Sequence, residues 1–278
     1  MGKTRARRYL LAAVWPAGEA AIVAATASAV RRASGNRATH SGRRWVASRN
    51  LDGALLAPAG LPDWVQDSVR LSAVSCIDGA VAYGVMRLLG PAVMKYGLKI
   101  DEPIARWTAD HQLKQWAKVM ERFTKVGNTW TTWGAAGTAA VSLAATWPRY
   151  KWLPPAVLGS AIVVDHYATI ALRRKFGRVG PPNSPAGTYP CGGVDRVILF
   201  YGLVAYLLWR EFSGTSRGSA LAIGAVTALA FNQAYSREYL EKHWFTDILA
   251  GVVYGAVLLA PFVAGVRMIA GPAVTPSQ

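Results

Sequence analysis

Six stretches of the chain, 71–94, 128–147, 153–172, 197–209 with its flanks, 218–235 and 246–269, are predominantly apolar. Each is close to the roughly 20 residues that an α-helix needs to cross a bilayer. The pattern predicts an all-α, polytopic membrane protein built as a six-helix transmembrane bundle. Asp78 and Arg87 interrupt the first stretch, and charges at such positions face a bundle interior or snorkel outward. Between the first two stretches, Leu113, Trp116, Val119, Met120 and Phe123 share one helical face, while Lys114, Lys118, Glu121, Arg122 and Lys125 share the other. That division predicts an interfacial amphipathic helix. His111, just before it, reads as a solvated surface residue.

Residues 1–69 form a basic N-terminal extension, 70–270 the transmembrane domain and 271–278 a C-terminal tail. Within the extension, residues 9–30 are long enough for one extra helix, but Glu19, Pro16 and the abundance of alanine weaken insertion. The following run "RRASGNRATHSGRRWVASRN" reads as a solvated loop, with His40 inert. Eleven Lys and Arg residues, from Lys3 to Arg70, precede the first span, so the positive-inside rule places the extension in the cytoplasm. Segments 95–127, 173–196 and 236–245 then face outward, and the expected location is a cell membrane crossed several times.

Composition agrees, with 52% hydrophobic residues, 17% charged and eleven tryptophans. The net charge of +16 is accounted for by cytoplasmic Lys and Arg and by contact with anionic membrane lipids; no nucleic-acid motif is present, and no nucleic-acid partner is expected. Cys76 and Cys191 fit no metal-ligand spacing. The topology sets them on opposite membrane faces, which argues against a disulfide, and no metal or cofactor is expected.

Chemistry collects in the outward loops. Ser236, Arg237, His243 and Asp247 follow the pattern S-R-x5-H-x3-D at the start of the last span. His243 and Asp247 are four apart, so on one helix the carboxylate would accept an imidazole N–H and fix the tautomer, leaving the other ring nitrogen as a nucleophile. Arg237 offers a planar fork suited to phosphate. This pattern resembles the third signature of the type 2 phosphatidic acid phosphatase superfamily, which includes lipid phosphatases, glucose-6-phosphatase and vanadium haloperoxidases. Its three signatures are K-x6-R-P, P-S-G-H and S-R-x5-H-x3-D, and the resemblance covers roughly residues 70–270, making that segment a phosphatase-like domain.

The resemblance implies that His243 is the nucleophile that forms a phosphohistidine, Asp247 its orienting acid and Arg237 a phosphate ligand, in chemistry that uses no metal. The other two signatures are altered. In "LRRKFGRVGPP", Arg173 aligns with the family lysine, Gly180 stands where the arginine belongs and Pro181 keeps the proline; Arg178 is the candidate to supply the missing charge. In "TYPCGGVDR", Pro190, Cys191, Gly192 and Gly193 replace P-S-G-H. The histidine that protonates the leaving group is therefore absent, while the amides of the glycine pair at a helix start remain suited to an anion. Asp195 and Arg196 follow closely enough to contribute, Asp195 as the replacement acid. A rival reading makes Cys191 itself a nucleophile. Asp165 and His166 form either a buried hydrogen-bonding pair or part of the site. The expected substrate is a lipid phosphate or a polyprenyl diphosphate at the outer membrane face. The alternatives are a catalytically degenerate relative that binds lipid phosphates or partner proteins, and a phosphotransferase.

Overall fold

The computed structural model describes residues 62–271, apart from 148, 149, 183, 185 and 186. The basic extension up to residue 61, with the possible helix at 9–30, and the tail from 272 lie outside the described residues. Seven helices follow one another: α1 (Asp63–Asp110), α2 (Lys114–Val126), α3 (Thr129–Thr146), α4 (Leu153–Phe176), α5 (Gly192–Phe212), α6 (Ser216–Tyr239) and α7 (Phe245–Ala270). There is no strand among the described residues. Six of the helices occupy the six predicted apolar stretches and α2 is the predicted amphipathic helix. By length and composition α1, α4, α5 and α7 can each cross a membrane; α3 and α6 are diluted by Ala, Gly, Ser and Thr.

The first helix departs from expectation. Residues 95–110, expected in an outward loop, continue α1 without a break despite Pro91 and Pro103. The reason is a buried stripe, Leu71, Ser75, Asp78, Ala82, Met86, Gly90, Gly97, Asp101 and Thr108, whose spacing keeps a single face of the helix against the bundle. At 1.5 Å per residue, 48 residues reach about 72 Å, well beyond a hydrocarbon core of about 30 Å. The polar C-terminal third of α1 therefore rises past the apolar zone, and Asp101 is carried with it. Arg87 is exposed, with its guanidinium 6.0 Å from the Tyr83 ring, and Asp78 faces inward at 1% exposure, as one of the two alternatives for such charges predicts.

Helix boundaries follow local chemistry. Two prolines occupy the first turn of α4, where no amide hydrogen is needed, and Gly177 ends it in the left-handed region (φ 53°). Thr215 caps α6 by accepting from the amide of Gly218 at 3.1 Å. In α5 the segment Val197–Tyr201 is a π-helical turn, a feature that recurs near functional sites. The core that holds these ends in place is built from Met86, Leu153, Leu158, Leu172, Tyr189, Phe200, Leu203, Leu207, Tyr254 and Phe262, all buried. Gly251 and Gly255 of α7 face the first turn of α5 so closely that a methyl group on them would fall 2.7 Å from the Cys191 carbonyl and 2.8 Å from that of Asp195. Small residues four apart let the two helices meet backbone to backbone.

Candidate functional site

The last turns of α4 and α6 and the first turns of α5 and α7 come together at one end of the bundle. At their centre is the glycine pair. A methyl group on Gly192 would lie 2.7 Å from Nη2 of Arg173 and 3.2 and 3.3 Å from Nη2 and Nη1 of Arg196. On Gly193 it would lie 2.6 and 2.7 Å from Nη2 and Nε of Arg237. Three guanidinium groups thus crowd over the start of α5, whose first amides have no partner within the helix. Arg237 is steadied by Thr124 O and Asn128 Oδ1, both 3.1 Å from its Nη2, and Arg196 by Nε to Asp165 Oδ2 at 3.1 Å. Nε of Arg173 and Nε of Arg237 are buried with no hydrogen-bond partner among the described residues. Like charges gathered around unpaired donors are an arrangement that can hold a multiply charged oxyanion.

His243 borders this cradle from the turn between α6 and α7, at 7% exposure. Its Nδ1 lies 3.0 Å from the carbonyl oxygen of Thr188. A carbonyl can only accept, so Nδ1 carries the proton and Nε2 carries the lone pair. Burial, then the charges of Arg237 and Arg173, hold its pKa down to about 3 against the opposing pull of Asp247. The imidazole is therefore neutral throughout the neutral pH range.

The expected pairing of His243 with Asp247 is not what the structure shows. Asp247 Oδ1 accepts from Arg178 Nη1 at 2.5 Å and Oδ2 from the backbone of Trp244 at 3.3 Å. The argument from a four-residue spacing requires both residues within one helix, and His243 precedes Trp244, the N-cap of α7. Its ring turns instead towards the loop before α5.

Arg178 is also corrected. Expected to meet phosphate, it is bonded through Nη1 to Thr246 Oγ1 (2.8 Å) and Asp247, and through Nη2 to Asp101 Oδ2 (2.6 Å). Asp101, fully buried, also accepts from the Thr246 amide and hydroxyl, both at 2.8 Å. Two carboxylates thus hold this guanidinium in an ion-pair clamp that ties α1 to the start of α7. Nor has the loop room for an arginine at Gly180, where a side chain would overlap Ser184 and Thr188. Ser236 is likewise not offered to a ligand, since its hydroxyl is bonded to Gln233 O at 2.8 Å within α6.

Asp195 lies one turn into α5, fully buried, with neither carboxyl oxygen bonded among the described residues. Cys191 is the N-cap of α5, and its amide donates to the backbone carbonyl of Asp247 at 3.0 Å. Burial raises its thiol pKa despite the opposing charge of Arg237, which disfavours the thiolate that a cysteine nucleophile requires. Asp165 and His166 are not a pair: Asp165 takes Arg196 and Thr169 Oγ1 (3.2 Å), whereas His166 stacks edge-on between Trp133 and Tyr167. His111 is exposed and lies flat on Trp107. Asp101, missed by motif reading, could have been found only from the 90–97–101 spacing of small and polar residues on α1. Among the described residues no group of three or more His, Cys, Asp or Glu side chains is placed to hold a metal ion.

A family model described as "PAP2 superfamily" matches residues 80–269. Among solved structures, the "first transmembrane PAP2 type phosphatidylglycerolphosphate phosphatase from Bacillus subtilis" is similar, with a TM-score of 0.60 at 20% identity, over 69% of this chain and 96% of that one. None of the curated proteins compared with the chain matches it.

Proposed function

We propose, from the premise that the chain belongs to the PAP2 superfamily, that it is a multi-pass membrane phosphatase. It hydrolyses a lipid phosphate or polyprenyl diphosphate through a phosphohistidine at His243. The observation that carries this reading is a neutral imidazole, with Nε2 unprotonated, set beside a cradle of arginines at the start of α5. In such a site the phosphoryl group is held by Arg173, Arg237 and the amides of Gly192 and Gly193. Nε2 attacks phosphorus, the bond to the leaving oxygen breaks, and water then cleaves the P–N bond. The Thr188 carbonyl holds the attacking tautomer and stabilises the imidazolium character that develops in the attack, while Asp247 adds negative potential from its place beside Arg178. Because the charge of a bound oxyanion offsets that of the arginines, the imidazole becomes a better base and nucleophile once substrate is present.

Leaving-group chemistry selects among substrates. The place of the family's acid histidine is Gly193, and Arg237 with Gln233 fills the space where its side chain would project. An alkoxide leaving group needs a proton, and general acid catalysis contributes about 10²–10⁴-fold. A lipid monophosphate leaving from a diphosphate needs far less help. The carboxyl close behind the cradle is Asp195, sealed inside the bundle. A diphosphate is therefore the preferred substrate, and Asp195 serves any slower monoester turnover. In this reading the site faces the outer leaflet, which the positive-inside pattern of the sequence supports. The test is phosphate release by the purified protein from a polyprenyl diphosphate and from phosphatidic acid, with His243→Ala as control. Release that is equally fast in His243→Ala refutes the phosphohistidine route. Vanadate binding with no release from any lipid phosphate supports the degenerate, lipid-phosphate-binding alternative.

A further inference from the structure

The altered first signature leaves the cradle one cation short on the side of Gly180, and the clamp on Arg178 shows that the nearest arginine does not fill the gap. Arg196 occupies a different position. It is on α5 itself, one turn after Gly192, and side chains on a helix lean towards its N-terminus, here towards the glycine pair. Both terminal nitrogens fall just over 3 Å from the point where a Gly192 methyl would sit, beside Nη2 of Arg173 at 2.7 Å from the same point. Neither Nη1 nor Nη2 of Arg196 makes a hydrogen bond among the described residues; its bond to Asp165 uses Nε alone.

That geometry is not that of an arginine whose whole purpose is an ion pair. An Arg–Asp pair is strongest when two parallel N–H bonds engage the carboxylate, whereas here Asp165 takes one bond from Arg196 and spends its other oxygen on Thr169. The carboxylate fixes the root of the guanidinium and leaves its fork free. Two forks turned towards one point repel each other unless an anion lies between them. The ladder Asp165, Thr169, Arg173 at four-residue spacing on α4 places the anchor of Arg196 and the neighbouring cation on the same helical face.

We propose that Arg196 is the third phosphate-holding cation of the site, and that Asp165 is its positioning residue. The charge lost at Gly180 has thereby moved from the loop after α4 to the second turn of α5. This inference rests on the reading of the cradle as a phosphate site, and it is tested with orthovanadate on the purified full-length protein in detergent. Binding is read by tryptophan fluorescence or calorimetry, together with KM and kcat for phosphate release. Arg196→Gln is expected to weaken vanadate about 10- to 100-fold, the scale of lost charge-assisted bonds. Arg196→Lys keeps the pair with Asp165 but offers a point charge in place of a fork, and is expected to weaken it several-fold. Asp165→Asn is expected to raise KM by a larger factor than it lowers kcat, and Asp165→Glu to recover part of the loss. The exposed Arg174→Gln serves as the control for simple loss of local charge and should bind as the parent does. Parental affinity in Arg196→Lys or Arg196→Gln, with weakened binding in Arg173→Gln and Arg237→Gln, overturns the assignment of Arg196 and leaves the cradle standing. Parental affinity in all of the Arg173, Arg196 and Arg237 variants refutes the cradle itself.

Discussion

Replacing Asp101 by Asn tests whether the clamp at the end of α1 organises the site. Asp101 accepts three bonds, from Arg178 Nη2 at 2.6 Å and from the amide and hydroxyl of Thr246 at 2.8 Å each, and it is fully buried. Asparagine has nearly the same shape but accepts through one oxygen, and its amide must face at least one of these donors. Leaving a buried donor unsatisfied costs about 1–3 kcal/mol. Arg178 also loses one of its two counter-charges, and breaking a buried ion pair from one side costs about 3–5 kcal/mol. The expected destabilisation is therefore about 3–5 kcal/mol, with Arg178→Met comparable or worse because it leaves Asp101 and Asp247 facing each other. In the double variant the two losses should fall short of their sum by about 1–3 kcal/mol, since the groups share one network. Equilibrium unfolding in mixed micelles, followed by tryptophan fluorescence, measures all three. The clamp also ties Thr246 and Asp247 down, and Asp247 accepts from the amide of Cys191 at the start of α5. Asp101→Asn should accordingly weaken vanadate binding as well. A variant within about 1 kcal/mol of the parent, with unchanged vanadate affinity, would refute the idea that Asp101 holds the site together.

Four further outcomes are expected. Since His243 is held at a pKa of about 3, its free-base form is present above that pH and is lost only as pH falls towards it. The free-enzyme profile of kcat/KM should therefore show no limb at the ordinary histidine value of 6.5, and Arg237→Gln should move the acid limb upward, because removing a cation favours the imidazolium. Gly193→His should weaken vanadate binding and fail to accelerate monoester hydrolysis, as the added side chain collides with Arg237 and Gln233; a selective gain in monoester turnover would contradict that packing. Asp195→Asn should leave diphosphate turnover largely intact and depress monoester turnover, and equal effects on both would remove Asp195 as the acid. In a Cys76→Ser background, a cysteine at the exposed Val179 should react with an impermeant reagent from outside intact cells and one at Ser216 should not; the reverse pattern inverts the topology.

What could be read from sequence, and what could not, divides along a physical line. The apolar stretches announced their helices because a bilayer imposes length and composition on any span, and the face of α2 that carries Met120 announced itself by its period. The grouping of Arg237 with His243 also survived, because Arg237 sits in the last turn of α6 and His243 in the short connection that follows it. Relations decided by tertiary packing did not survive. Whether Asp247 reaches His243 depends on the residue at which α7 begins, and Trp244 rather than His243 is its cap. Whether Arg178 or Arg196 faces the cradle depends on Gly177, whose left-handed turn (φ 53°) redirects the chain after α4, and on Asp101, which is buried only because α1 continues past residue 94. A stretch as polar as 95–110 gives no apolar signal of its own and is held as helix by contact with the rest of the bundle.

The two altered signatures make better sense as one change than as two losses. With Gly at 193 the Arg237 guanidinium can settle against the start of α5; a histidine there would take its space. With Gly at 180 the loop after α4 closes on Ser184 and Thr188, so Arg178 can be drawn down between Asp101 and Asp247. The cost of that movement is a cation withdrawn from the site, and Arg196 stands where a cation can be added, on a helix whose second turn is fixed by Asp165. Such a rearrangement conserves positive charge around the oxyanion while giving up the imidazole acid. Under the proposed function, a site reshaped in this way keeps the groups assigned to binding and attacking a phosphoryl group and gives up the one that would help expel a poor leaving group. On the proposed function, the chemistry this arrangement favours is one whose leaving group needs no proton, and for a lipid diphosphate that leaving group is a lipid phosphate.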